Sequence, residues 1–191
     1  MHLDGLKVAV LVTDGYEPSE LTQPVAALRD AGADVTIVSD HDGTIRGKTD
    51  ADTATVDLTL DTARADDYGA LLLPGGVKNP DTMRQNQRGV AFVRSFADAG
   101  KPIAAICHAP WMLVEADVVR GRRVTSYPSL KTDLRNAGAE WVDEEVVVDS
   151  GMVTSRTPKD IPAFNAKMLE EFGEGVHERR ATATATSNTP T

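Results

Sequence analysis

Lys101-Pro102-Ile103-Ala104-Ala105-Ile106-Cys107-His108-Ala109-Pro110-Trp111 decides how this chain is to be read. Ile103 to Ile106 is a short apolar run that reads as a buried strand, entered through the turn Gly100-Lys101-Pro102. Ala109 to Ala116 then reads as a helix, and Pro110 suits its first turn, where a missing N–H costs nothing. Cys107 falls between the two, in a sharp turn resembling a nucleophile elbow that lifts the thiol out of the sheet. The positive end of the following helix favours thiolate, and its free N–H groups can hold an oxyanion. A buried structural cysteine is the alternative reading of the same position.

The pattern repeats outward from this stretch. Leu6 to Val12 is a buried strand, Leu21 to Ala31 has helical spacing and stops at Gly32, and Asp34 to Ser39 is the next strand. Strand, helix and strand in this order predict a parallel sheet covered by helices. Pro24 lies inside the first helical pattern and marks a late start or a kink. Residues 40 to 55 read as loops with a short strand or hairpin at Thr44 to Lys48, and Val56 to Leu60 alternates like an edge strand. Ala70 to Leu73 is a buried strand ending at Pro74-Gly75-Gly76, and a helix follows over Gln87 to Ala99. Farther on come a strand at Arg123 to Ser126, a helix at Leu130 to Ala137, a hairpin about Asp149-Ser150-Gly151 and a last helix at Ile161 to Phe172. Residues 1–172 read as one domain. The segment 173–191, with its Ala-Thr repeats, lacks apolar periodicity and reads as a disordered tail.

Composition narrows the function classes. The 191 residues are 41% hydrophobic and 26% charged, a globular mixture long enough to bury a core without disulfides or metal. The single cysteine excludes an intramolecular disulfide and a Cys-based zinc cluster, and fits a reducing compartment. No run approaches a membrane span, and the N-terminus lacks the pattern of a signal peptide, so a cytoplasmic protein is expected. A net charge of −9 argues against binding a nucleic-acid backbone. It reads as a solvated, self-repelling surface, with adaptation to high salt as the alternative.

Three loops follow buried strands: Thr13-Asp14-Gly15-Tyr16-Glu17, Pro74-Gly75-Gly76 and Cys107-His108. In open parallel sheets ligands bind at the carboxyl ends of strands, so these loops can meet although far apart in sequence. Gly75 and Gly76 permit close backbone approach and could supply oxyanion donors; a Pro-Gly-Gly triplet is otherwise only a turn. An ionised Glu17 beside a thiolate would raise the cysteine pKa by repulsion, so it could assist only when protonated. The plain alternative is a solvated acid near a helix start, as for Glu20. His108 could swing in as general base, although adjacent side chains usually diverge. His41, flanked by Asp40 and Asp42, reads as a solvated turn rather than a metal site.

The stretch around Cys107 resembles the cysteine-elbow signature of the PfpI family, in the wider ThiJ/PfpI superfamily. So do Ala70 to Gly76, Asn136 to Asp143, Val146 to Asp149 and Thr154 to Pro158, in order, within residues 6 to 172. The resemblance implies a flavodoxin-like three-layer α/β sandwich with a mainly parallel sheet, related to class I glutamine amidotransferase domains. It implies Cys107 as nucleophile, Glu17 as the acid bonded to the thiol, His108 as the histidine after it, and Gly76 with the His108 N–H as the oxyanion site. It also implies a homodimer or hexamer, in which Asp81 is the nearest match to an acid reaching a neighbouring subunit's Cys–His pair. Two departures stand out: Ala109 replaces the family's usual glycine, and Asp81 is shorter than its usual glutamate.

Three functions follow from the resemblance. The first is a stress-response deglycase or glyoxalase-like enzyme, in which Cys107 attacks methylglyoxal or its adducts on protein or nucleotide, without metal or organic cofactor. The second is an intracellular cysteine peptidase. The third is a redox sensor or holding chaperone without turnover. An amidotransferase role is disfavoured because the expected His-Glu pair late in the chain is not evident.

Overall fold

Along each central strand apolar side chains alternate between two faces, and both faces are covered. The computed structural model describes residues 2–178. In chain order the elements are β1 (Lys7–Leu11), α1 (Pro18–Asp30), β2 (Asp34–Ser39), β3 (Thr44–Arg46), β4 (Thr53–Thr55), β5 (Leu58–Thr59), β6 (Ala70–Leu73), α2 (Lys78–Met83) and α3 (Gln87–Asp98). Then follow β7 (Ile103–Ile106), α4 (Pro110–Glu115), β8 (Arg123–Val124), α5 (Lys131–Asn136), β9 (Glu140–Trp141), β10 (Val146–Asp149), β11 (Met152–Ser155) and α6 (Ile161–Glu174).

Seven strands form one sheet in the order β10-β11-β7-β6-β1-β2-β5, parallel except where β10 pairs antiparallel with β11. Val8, Val10, Leu72, Ala104 and Ile106 face α1 and α6, meeting Leu28, Phe164 and Phe172. Their neighbours Ala9, Leu11, Leu71, Leu73, Ile103 and Ala105 face α3 and α4, meeting Phe92, Phe96 and Leu113. Burial on both faces is why these strands read as unbroken apolar runs. The result is the three-layer arrangement with a mainly parallel sheet expected from the sequence.

The chain leaves β1 toward β2 on one side and returns to β6 and β7 on the other. The carboxyl ends of β1 and β6 therefore flank the reversal of strand order, the place where open parallel sheets bind ligands. The loops after β1, β6 and β7 converge there.

Several boundaries differ from the sequence reading. Helix α1 begins at Pro18 rather than Leu21 and passes through Pro24 to Asp30. Pro18 stands at a first-turn position that needs no N–H, and Pro24 deprives only the Glu20 carbonyl of its ladder partner. The short, polar α2 has no apolar period and was not anticipated. The expected strand at Thr44 to Lys48 is the hairpin β3–β4, and the edge strand is reduced to Leu58–Thr59. Helix α6 continues to Glu174, and the His177 N–H donates to Gly100 O at 2.8 Å. The disorder expected over 179–191 lies outside the described residues.

Candidate functional site

Cys107 lies where these loops converge, and its backbone is forced. Its φ of +65° is left-handed, which costs a side-chain-bearing residue about 1–3 kcal/mol. Two hydrogen bonds hold it there: Cys107 N–H donates to Ser155 O at 3.0 Å, and Tyr127 N–H donates to Cys107 O at 2.8 Å. The strand-to-helix turn read from the sequence is thus a strained elbow, and the thiol it carries is only 6% exposed.

His108 turns back to its neighbour, with Nδ1 3.1 Å from Cys107 Sγ. The ring stacks on Tyr127 with centroids 4.5 Å apart and meets the edge of Trp111 at 5.3 Å. These packings overcome the usual divergence of adjacent side chains. Its other nitrogen, Nε2, lies 3.3 Å from Ser129 Oγ. Burial lowers the His108 pKa, so the ring is neutral at pH 7 and able to accept a proton.

The acid beside the thiol is Glu20, which corrects the placement of Glu17. The Glu20 side chain is fully buried, with both oxygens outside good hydrogen-bond geometry, yet within the influence of the Cys107 thiol and the Gly75 and Gly76 amides. Burial, opposed by the thiol and reinforced by the charge of Glu17, lifts its pKa from the ordinary 4.5 to about 7. Glu17 instead stands just before α1 with no capping bond from its side chain, about a quarter exposed, with its carboxylate 3.7 Å from Lys48 Nζ. The physical reason is helical phase. A helix beginning at Pro18 leaves Glu17 outside and puts Glu20 on the stripe of Pro24 and Leu28, four residues apart and all buried. A carboxylate on an apolar stripe was the available signal.

Burial pushes the Cys107 thiol up, and the Glu20 charge pushes it further; the Gly76 and His108 N–H groups act the other way. Ionising both thiol and carboxyl in the same buried space is costly, so each disfavours the charged form of the other.

Both glycines are needed. A Cβ on Gly75 would run into Glu20 Oε2, and would lie 2.6 Å from Ile106 O. Gly76 has φ +83°, and a Cβ there would lie 2.5 Å from Gly15 O. The loop after β6 is thus pressed between the loop after β1 and the cysteine.

Asp81 is exposed on α2 and forms no hydrogen bond or ion pair with Cys107 or His108 of its own chain. It lines an open groove of about 600 Å³ together with Arg84, Arg94 and Glu115. Sequence reasoning did not single out Ser129 or Asn79, which lie in a single 3-10 turn (Pro128–Leu130) and in a short polar helix. His41 pairs with Asp14 at 3.3 Å on the exposed rim. As for metals, Glu171, Glu174 and His177 bring ligand-type atoms within 4.8 Å of one another. Glu171 is already engaged there by Gly151 N–H at 3.2 Å and by His177. No helix among the described residues is long and apolar enough to cross a membrane.

The sequence and the fold have known relatives. Residues 6–171 match the model of the DJ-1/PfpI family. Protein/nucleic acid deglycase 2 of Escherichia coli (strain K12) is 46% identical over 169 residues, covering 87% of this chain and 98% of that protein. General stress protein 18 of Bacillus subtilis (strain 168) is 44% identical over 167 residues, covering 86% and 96%. A crystal structure of an Anabaena variabilis two-domain protein with DJ-1/ThiJ/PfpI-like and ferritin-like domains superposes with a TM-score of 0.85 at 36% identity, covering 88% of this chain and 48% of that one. The flavodoxin-like fold is shared, and with a match running from the first strand into the last helix, this chain belongs to the DJ-1/PfpI family.

Proposed function

We propose that this protein is a cysteine-dependent deglycase that removes methylglyoxal-type adducts from amines and hydrolyses the free dicarbonyl. The observation that carries this reading is the grouping at Cys107: a neutral imidazole 3.1 Å from the sulfur, a buried carboxyl titrating near 7, and the Gly76 and His108 amides turned to the same atom. Nucleophile, base, acid and anion donors are thus grouped about one sulfur.

The chemistry closes with water alone. Cys107 sulfur bonds to the carbon bearing the adduct nitrogen; the C–N bond breaks, and the amine leaves with a proton from Glu20. For free methylglyoxal the sulfur adds to the aldehyde, and the oxygen is held by the Gly76 and His108 amides and protonated. Either route gives a hemithioacetal. His108 takes the proton from its C–H carbon, and reprotonation at the adjacent carbon yields a lactoyl thioester. Water then releases lactate and restores the thiol. One carbon is oxidised as its neighbour is reduced, so no external electron acceptor enters.

On this reading the enzyme is a cofactor-independent hydrolase of the cytoplasm, assembled as a homodimer or hexamer. Its substrates are small carbonyls or glycated protein and nucleotide, with no affinity for a nucleic-acid backbone. The peptidase reading needs an acid at His108 Nε2, and within one chain that nitrogen meets Ser129 instead.

The test is methylglyoxal consumption with lactate release, and recovery of free amine from a methylglyoxal-treated peptide, in wild type and Cys107→Ser. Lactate and free amine formed by wild type alone support the proposal. Wild type that forms neither overturns it.

A further inference from the structure

Asn79 is a buried amide, 2% exposed, whose hydrogen bonds all go to loop backbone. Its Oδ1 accepts from Thr13 N–H at 2.8 Å, and its Nδ2 donates to Pro74 O and Gly75 O, each at 3.0 Å. It therefore ties the loop after β1 to the loop after β6 across the reversal of strand order.

The bond to Gly75 O has a stereochemical consequence. Gly75 C=O and Gly76 N–H belong to one peptide unit, which is trans. In a trans peptide the C=O and N–H point in opposite directions, so fixing the oxygen fixes the aim of the N–H. The oxygen is held by Asn79 Nδ2 and, at 3.4 Å, by Glu17 N–H. Gly75 lies against Cys107, whose Cβ is 2.8 Å from where a Gly75 Cβ would sit, and the Gly76 N–H on the other side of the unit favours the thiolate. Between two glycines this unit would otherwise turn over easily and present its oxygen to the sulfur, a repulsive arrangement.

We propose that Asn79 is a positioning residue: by holding Gly75 O it keeps the Gly76 N–H aimed at Cys107 and sets how readily that sulfur ionises and reacts. The importance of this for turnover rests on Cys107 being the nucleophile. The residue acts through the peptide unit and touches neither substrate nor sulfur.

The test follows the pH dependence of Cys107 alkylation by iodoacetamide in the full chain, comparing wild type, Asn79→Ala and Asn79→Asp. Asn79→Asp keeps an acceptor for Thr13 N–H but loses both donors. In each folded variant the midpoint should move to higher pH and alkylation at pH 7 should slow about tenfold, as one pKa unit requires. A folded variant whose profile superimposes on that of wild type overturns the proposal. Should neither variant fold, amide NMR on wild type decides: the Gly76 N–H resonance must move with the alkylation midpoint, and an unmoved resonance overturns the idea. Because alkylation reads the sulfur itself, a protein that fails to release lactate yet shows the shift sinks the deglycase reading and leaves this one standing.

Discussion

Gly75 and the carboxyl of Glu20 compete for one small volume: a Cβ at position 75 would run into Glu20 Oε2 and sit 2.8 Å from Cys107 Cβ. Gly75 is not in the left-handed region, so its lack of a side chain is a matter of space. Ile106 O, at 2.6 Å from the same point, is backbone and cannot swing away. Gly75→Ala should therefore destabilise the fold by about 1–3 kcal/mol and displace the acid from the sulfur. Thermal unfolding reads the first effect and iodoacetamide kinetics the second; an unchanged melting temperature with unchanged alkylation would contradict the packing described.

Glu20 and Glu17 are separable by mutation. Glu20→Gln removes the acid at the sulfur and should lower lactate formation by about 10²-fold or more, within the range for loss of a general acid. Glu17→Gln alters a partly exposed residue paired with Lys48 and should cost no more than about threefold. Steady-state kinetics on both variants checks the assignment, and a larger loss from Glu17→Gln would reverse it.

The raised Glu20 pKa also makes stability depend on pH. The folded chain holds this proton up to about pH 7, whereas the unfolded chain gives it up near 4.5. The contribution is fully present below 4.5 and is lost as pH rises through 7. Relative to Glu20→Gln, wild type should lose on the order of 3 kcal/mol between pH 4 and pH 8. Denaturant titrations of both proteins at the two pH values measure the difference. The same pair predicts a step near pH 7 in wild-type alkylation, absent from Glu20→Gln, because the carboxylate charge that opposes the thiolate is gone.

Ser129 holds the far side of His108. Ser129→Ala leaves Nε2 without its partner at 3.3 Å, at an exposed position of a 3-10 turn where stability has little to lose. About a three- to tenfold fall in kcat with an unchanged melting temperature is expected, since the hydroxyl orients the ring rather than reacting. An unaltered kcat removes Ser129 from the site.

Because Asp81 meets neither Cys107 nor His108 of its own chain, the role proposed for it is intersubunit. Light scattering at micromolar concentration should show a dimer or larger, and Asp81→Asn should lower activity without dissociating it. A strictly monomeric, active enzyme rules out the intersubunit role.

Much of this fold was legible in sequence because its central strands are buried on both faces. Ala70 to Leu73 and Ile103 to Ile106 admit few other readings, and each ends in the loop that carries chemistry. What stayed hidden depended on helical phase and on long-range packing. Starting α1 at Leu21 hid the apolar stripe on which Glu20 lies, and attention fell on Glu17 in the preceding loop. Asn79 belongs to a six-residue helix without periodicity. Ser129 matters only because Tyr127 and Trp111 turn the imidazole toward it.

The elbow at Cys107 has a history as well as a shape. Its left-handed backbone is held through Ser155 O, at the end of β11, and Tyr127 N–H, both later in the chain than the cysteine itself. During synthesis the thiol emerges before either anchor exists, on a backbone free to relax into an ordinary conformation. Its strained posture depends in part on the last strand in the chain, so a chain cut before β11 carries this cysteine without its Ser155 anchor and free of the left-handed turn.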